Sequence, residues 1–242
     1  MIASKITDLI GNTPMLKLKM KNNDWNVFLK LEKFNPGGSM KDRMALNMIE
    51  EAEKSGQLKP GGTIIESSSG NTAIGLAIAS AIKGYHFIAV VDHHASKEKI
   101  DMIKAYGAEI VVVGDGYKAN EVAVIEREKT AKRMSEEMEN AFFPNQADNF
   151  NNRAAYIDTL ADELINDITT INSFYAAIGT GGSACGTAMG LKKRNSNTKI
   201  NVIEPDGSIL FGGEGKPYYQ SGTGNPKDAP IPKIIDLSLI HI

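Results

Sequence analysis

Cysteine is almost absent from this sequence. Cys185 is the single one in 242 residues, which excludes an internal disulfide framework and fits a reducing compartment. Charge of one sign is missing too: 27 lysines and arginines face 29 aspartates and glutamates. The resulting net charge of −2 leaves no electrostatic footprint for nucleic acid. No apolar run approaches the ~20 residues that a membrane helix requires. Met1 leads into polar residues without a charged segment followed by an apolar one, so no signal peptide and no membrane association are expected, and the chain reads as cytoplasmic. Metal-ligand spacing is also lacking. His93-His94 follow Asp92, but adjacent histidines generally point apart and no cluster of ligating residues surrounds them, so no metal is expected.

What is present is a lysine and two glycine–hydroxyl loops. Asn35-Pro36-Gly37-Gly38-Ser39-Met40-Lys41-Asp42-Arg43 places one lysine after a tight turn, at the start of a helical pattern carried by Ala45, Leu46, Met48, Ile49 and Ala52. A lysine held partly desolvated can lose its proton near neutral pH and act as an amine nucleophile. Taken alone, the segment reads more simply as a solvated helix start.

The two loops repeat one design. Thr63 to Glu66 is a strand-like run that leads into Ser67-Ser68-Ser69-Gly70-Asn71-Thr72 and a small-residue helix. Ser173 to Ile178 leads into Gly179-Thr180-Gly181-Gly182-Ser183 and a second helix ending near Arg194. A strand that ends in glycine and hydroxyl residues and opens a helix makes an anion cradle, because free N–H groups and the positive helix end point at the ligand. Either loop alone is as readily a helix cap on a tight turn. Two cradles and a poised lysine together imply a ligand with two anionic ends and a carbonyl for the amine to attack.

These segments, with the opening Ile10-Gly11-Asn12-Thr13-Pro14-Met15 and the later Glu204-Pro205-Asp206-Gly207-Ser208, resemble the cysteine synthase and cystathionine β-synthase family of pyridoxal-phosphate enzymes. That group has the tryptophan synthase β-chain fold, and order and spacing agree over nearly the whole chain. The resemblance implies pyridoxal 5'-phosphate as cofactor, held covalently by Lys41. Gly179, Thr180, Gly181, Gly182 and Ser183 would hold its phosphate, with Ser183 standing where threonine is usual. Asn71 would hydrogen-bond its ring oxygen. Ser68, Ser69, Gly70 and Thr72 would grip the α-carboxylate of an amino-acid substrate, with Ser68 replacing a common threonine. Gln146 would add a second carboxylate contact, although its surroundings match poorly, and Gly222 corresponds to a glycine loop on the substrate side. A homodimer is implied as well.

Strand-length apolar runs at Val27–Leu31, Thr63–Glu66, Phe87–Val91, Glu109–Val113, Ser173–Ile178 and Ile200–Ile203 alternate with helical patterns. The helices are expected at Asp42–Ser55, Asn71–Ile82, Ser96–Tyr106, Lys118–Met138 and Arg153–Asp167. This alternation predicts an α/β fold with parallel sheets covered by helices, and open α/β sheets bind small molecules at the carboxyl ends of their strands. The resemblance implies two such open parallel-sheet domains with the cofactor cleft between them. Residues 37–146 would form the smaller, mobile domain that carries the lysine and substrate loop. Residues 1–36 and 147–242 would belong to the larger domain with the phosphate loop. Family members run on for several dozen residues past a point equivalent to Ile242, so the last elements of the large domain are expected to be missing.

The implied reaction is β-replacement on serine or an O-activated serine, the commonest case being O-acetylserine plus sulfide to cysteine plus acetate. Asp206-Gly207-Ser208-Ile209-Leu210 is closer to cystathionine synthase members, and Val90-Val91-Asp92 with Gly207 to Gly212 also resembles enzymes that make diaminopropionate precursors. Readings of a different class are a nucleotide-binding module built on Gly179 to Ser183 and a non-catalytic remnant. The absence of Gly-x-x-x-x-Gly-Lys-[Ser/Thr] weighs against the nucleotide-binding reading.

Overall fold

The computed structural model describes residues 2–21, 25–115, 123–212, 215–216, 222–224 and 240–241. The chain forms two compact units, Met1–Ile10 with Glu32–Asn145 and Gly11–Leu31 with Gln146–Ile242.

The first unit is built on a parallel sheet of β3 (Thr63–Ser67), β4 (His86–Asp92), β5 (Glu109–Val113) and β6 (Ala141–Phe142), in the order β5-β4-β3-β6. Its two central strands are apolar on both faces, as strands covered by helices on each side must be. Ile64, Phe87, Ala89 and Val91 join one core with Ala45, Ile49, Leu76 and Ala77, which belong to α1 (Lys41–Lys54) and α2 (Asn71–Lys83). Ile103 of α3 (Lys97–Ala105) joins the same core. Ile65, Ile88 and Val90 point the other way and pack on Ala131 of α4 (Val124–Glu137). The period of two that sorts these side chains fixes the register.

Helix α1 meets α2 where no side chain intervenes. A Cβ on Gly75 would lie 3.1 Å from both the Lys41 carbonyl oxygen and Ala45 Cβ, and 3.2 Å from Asp42 Cα. That close approach brings the first turn of α1 beside the first turns of α2. Helix α2 ends at Gly84, whose φ of 78° is the left-handed stop that closes its last turn.

The second unit holds an antiparallel hairpin, β1 (Met15–Leu18) and β2 (Val27–Lys30), and a parallel sheet in the order β7 (Ser173–Ala177), β8 (Lys199–Glu204), β9 (Ile240–His241). The hairpin is tied to the helices by Lys30 Nζ, 3.0 Å from Glu163, and by the Asn12 N–H, which donates to the same carboxylate at 2.9 Å. Glu163 belongs to α6 (Leu160–Asp167), which follows α5 (Phe150–Ile157). Helix α7 (Gly182–Arg194) is ribbed with glycine toward its neighbours. A Cβ on Gly186 would lie 2.2 Å from the Arg153 carbonyl oxygen, and one on Gly190 would lie 2.2 Å from that of Ile157.

The single helix expected over Arg153–Asp167 is therefore two. Thr159 leaves the helical region with φ −119° and ψ −82°, and its hydroxyl donates back to the Ala155 carbonyl, a local bond that competes with the helical ladder. The helix expected from Lys118 begins at Val124, and residues 118–122 lie outside the described residues. So do residues 213–214, 217–221 and 225–239. Among the described residues, no helix is long and apolar enough to cross a membrane.

Candidate active site

In the first unit the lysine turn is fixed from both sides. The Gly38 N–H donates to the Asn35 carbonyl at 2.8 Å, and Gly38 adopts φ 78°, which a glycine reaches without strain. The Gly37 N–H donates to Asp42 Oδ2 at 2.5 Å, and the Lys41 N–H donates to Ser39 Oγ at 3.1 Å. A Cβ on Gly37 would collide with the Asp42 carboxylate at 2.4 Å, so the second helical residue reaches back through the space that glycine leaves. Lys41 is the first residue of α1, where the positive helix end disfavours a cation. Burial lowers its pKa from 10.5 to about 8, so a usable fraction of free amine exists near neutrality. Burial also pushes Asp42 up to about 6, with the Gly37 hydrogen bond opposing the rise and the nearby Glu32 charge adding to it.

Through the Gly75 contact, Lys41 is brought beside the loop that opens α2. Ser68 is buried and Thr72 nearly fully so, while Asn71 is exposed at the helix start. Ser68 Oγ accepts from the Gly70 N–H at 3.3 Å, curling the loop. The first helical bond runs from the Ile74 N–H to the Gly70 carbonyl, so the amides of Asn71, Thr72 and Ala73 have no intrahelical acceptor. Lys99 reaches the same loop, its Nζ 3.9 Å from where a Cβ of Gly70 would be. Sequence reasoning gave no role to Lys99; its ammonium is a second positive element beside this loop.

In the second unit, Gln146, Gly179–Ser183 and Gly222 come together. Gly181 caps α7 in the left-handed conformation, φ 81°, and the first helical bond runs from the Cys185 N–H to its carbonyl at 2.9 Å. The amides of Gly182, Ser183 and Ala184 thus head the helix without intrahelical acceptors. The Gly222–Gly224 segment lies alongside: the Gly224 N–H donates to Ile178 O at 2.7 Å, and a Cβ on Gly179 would be 3.3 Å from Gly222 O. Asn152, given no role by sequence reasoning, links Gln146 to Thr180 by donating to the backbone oxygen of the first and the hydroxyl of the second. The signal that could have found it is a polar residue on the face of α5 that otherwise carries buried Ala155 and Tyr156.

His93 and His94 do not point apart as expected. The turn closed by the Ala95 N–H on Asp92 O brings their ring centroids to 4.2 Å. Among the described residues, no group of three or more His, Cys, Asp or Glu residues is placed to hold a metal ion.

Taken each by itself, the first unit offers a desolvated amine, a group that reacts with aldehydes, and the second offers a glycine-capped helix start, a geometry that suits an anion. The profile of the pyridoxal-phosphate dependent enzyme family matches residues 6–241. The chain belongs to that family. It is 43% identical over 224 residues to the cysteine synthase of Staphylococcus aureus, spanning 90% of this chain and 70% of that protein. Among solved structures, the O-acetylserine dependent cystathionine β-synthase from Helicobacter pylori is similar with a TM-score of 0.90 and 34% identity, covering 100% of this chain and 79% of that one. O-acetyl serine sulfhydrylase isoform 3 from Entamoeba histolytica aligns with a TM-score of 0.91 and 30% identity, covering 100% and 73%. The fold is thus that of the fold-type II pyridoxal-phosphate enzymes, and the chain is a pyridoxal-phosphate dependent enzyme.

Proposed function

We propose that this enzyme carries out β-replacement on an O-activated serine, making cysteine from O-acetylserine and sulfide. The observation that carries the reading is the packing of the Lys41 turn, through Gly75, beside the loop that opens α2. The backbone of Lys41 lies there against α2, whose start carries hydroxyls and amides suited to a carboxylate, and the Lys41 amine is desolvated by burial. Both features are what an amino acid presented for proton removal at its α-carbon requires.

In this reading Lys41 would hold the cofactor through Nζ, and as a free amine would take the substrate's α-proton at the same atom. A pKa of about 8 suits an amine that must both accept and return that proton near neutrality. Bound pyridoxal phosphate supplies the electron sink that stabilises negative charge at the substrate's α-carbon. Gly179, Thr180, Gly181, Gly182 and Ser183 would hold the phosphate, and Asn71 would hydrogen-bond the ring oxygen. Ser68, Ser69, Gly70 and Thr72 bind the substrate carboxylate with Gln146, while Gly222 lines the substrate side. The expected small domain, residues 37–146, would be the part that moves when substrate binds; the first unit also takes in Met1–Ile10 and residues 32–36, and Gln146 falls in the second. The cytoplasm as location is supported by the single buried Cys185. A homodimer is supported by the exposed apolar Leu16, Leu29 and Trp25 of the hairpin.

The alternative nucleophile rests on the sequence of one segment, which the structure shows to be a glycine turn. Gly207 takes φ 107°, and a Cβ there would meet Lys216 O at 2.4 Å, so Asp206-Gly207-Ser208 forms the tight glycine turn at which the sequence is closer to cystathionine synthase members. The test is a nucleophile screen on purified protein supplied with pyridoxal phosphate and O-acetylserine, then sulfide, homocysteine or glutamate, with products identified by mass spectrometry. Cysteine formed fastest is the expected result. Preference for homocysteine or glutamate would transfer the assignment to that product, and no product with any of the three would overturn β-replacement.

A further inference from the structure

The geometry points to Asn152 as a positioning residue for the cofactor phosphate: its side-chain amide fixes the Thr180 hydroxyl as an acceptor, so that the hydroxyl proton is left to give to the anion. The inference rests on the proposed assignment of Gly179–Ser183 to the phosphate and adds a residue that touches neither cofactor nor substrate.

Asn152 lies on α5 and is 2% exposed. Its Nδ2 donates to the Gln146 carbonyl oxygen at 2.8 Å and to Thr180 Oγ1 at 3.1 Å. The first bond decides the orientation of the amide. A backbone carbonyl can only accept, so the atom facing it must be the nitrogen. Turning the amide over would set two acceptors against each other and leave the Gln146 carbonyl without this donor. With Nδ2 so placed, its second proton goes to Thr180. A hydroxyl has one proton and two lone pairs; when Asn152 fills a lone pair, the proton is available to another acceptor. Donation to a phosphate is charge-assisted, and a hydroxyl that accepts while it donates is polarised in the favourable sense.

The other end of the amide shows that the side chain is there for its donors. Asn152 Oδ1 is buried without a hydrogen-bond partner, and a Cβ on Gly182 would lie 2.1 Å from it. The oxygen is pressed against the first residue of α7 in a space that exists because Gly182 has no side chain. A bare buried acceptor carries a desolvation penalty that an apolar side chain of similar shape would not. The two donor bonds, one to each side of the cradle, are what the amide contributes in return.

The test compares binding of pyridoxal 5'-phosphate with binding of pyridoxal, which lacks the phosphate, by absorbance titration of the full chain stripped of cofactor. The variants are Asn152→Ala, Asn152→Asp, Thr180→Val and the Asn152→Ala/Thr180→Val pair, each checked by melting. Asn152→Ala and Thr180→Val should each weaken the phosphate form by about ten- to a hundredfold and leave pyridoxal unchanged, and the pair should be no worse than the weaker single variant. Asn152→Asp keeps the shape but replaces the donor by an acceptor, which draws the Thr180 proton inward; it should weaken the phosphate form further, again sparing pyridoxal. Should Asn152→Ala not fold, this isosteric variant carries the comparison.

Unchanged phosphate-form affinity in the Asn152 variants beside a loss in Thr180→Val overturns the inference while keeping the loop assignment. So does an additive pair, or an equal loss for pyridoxal, which marks a structural role. If Thr180→Val and Gly181→Asp both leave the phosphate form bound as before, the loop assignment itself is wrong and the inference falls with it.

Discussion

Arg43 holds Glu32 with both arms of its fork, Nε to Oε2 and Nη2 to Oε1, each at 2.8 Å. Both side chains are almost wholly buried, and Asn35 Nδ2 donates to the same carboxylate at 3.0 Å. The residue four before the Pro-Gly-Gly turn and the residue two after the lysine are thereby clamped together, with Lys41 between them in sequence. Bidentate geometry is the favourable case for a buried pair, but removing one partner strands the other charge.

Glu32→Ala is accordingly expected to lower stability by about 3–5 kcal/mol in urea unfolding. The Glu32→Leu/Arg43→Leu pair should recover most of that loss. A double variant as unstable as the two single losses added together would show that the pair is not coupled.

Asp42 should give the stability curve an acid-side slope. Its folded pKa of about 6 exceeds the ordinary 3.8, so the folded chain binds more protons than the unfolded one between those values. Stability contributed by the protonated carboxyl is complete below about pH 4 and is lost as pH rises through about 6, a change of about 3 kcal/mol at most. Asp42→Asn should flatten that slope; urea midpoints between pH 4 and 7 that fall equally steeply in both proteins would contradict it.

Lys41 gives the opposite sign. Its folded pKa of about 8 lies below the ordinary 10.5, so the unfolded chain binds more protons between them and the cofactor-free protein gains stability from about pH 8 to 10.5. Lys41→Ala should lose that rise, abolish turnover and remove the visible cofactor absorption, while the melt stays cooperative. A variant that keeps both the colour and the turnover would remove Lys41 from its role.

The two loops should separate by ligand. Gly181→Asp places charge and bulk in the proposed phosphate cradle and should lower cofactor occupancy. Ser69→Ala should leave occupancy high and raise the amino-acid concentration needed for half-maximal rate. If instead Ser69→Ala loses cofactor, the assignments are reversed.

Gly190→Ala tests the bed on which the second loop rests. The added methyl would meet Ile157 O at 2.2 Å and Ala161 Cβ at 2.4 Å, so α7 must move off its neighbours. A loss of about 1–3 kcal/mol is expected on thermal or urea unfolding. A neutral effect would mean that α7 shifts freely.

How much of this was legible in the sequence differs between the two units. In the first, β3 and β4 read as apolar runs because both faces are covered, and the Ser67–Thr72 loop announced itself by hydroxyls and glycine between strand and helix. The hairpin strand Met15–Leu18 gave no such signal, since Leu16 and Lys17 are exposed and no alternating apolar face exists. The break at Thr159 was hidden because a threonine within a helical pattern is ordinary until its hydroxyl turns back on the ladder. Lys41 and the Gly179 loop stood out because local spacing is enough to suggest them. Glu32 and Asn152 did not, because their partners lie 11 and 28 residues away and only the fold brings them together.

The attachment of the hairpin to Glu163 sets a waiting time. Asn12 and its acceptor are separated by 151 positions, and a ribosome adding ~5–20 residues per second takes ~8–30 s to cover that distance. An isolated two-stranded hairpin is marginal in water, so for that interval residues 11–31 have emerged without their anchor, while the β3–α2–β4 elements, which pair locally, are already being completed. Slowing or pausing synthesis between Leu31 and Glu163 therefore lengthens the period in which this segment is open to chaperones or to a neighbouring nascent chain.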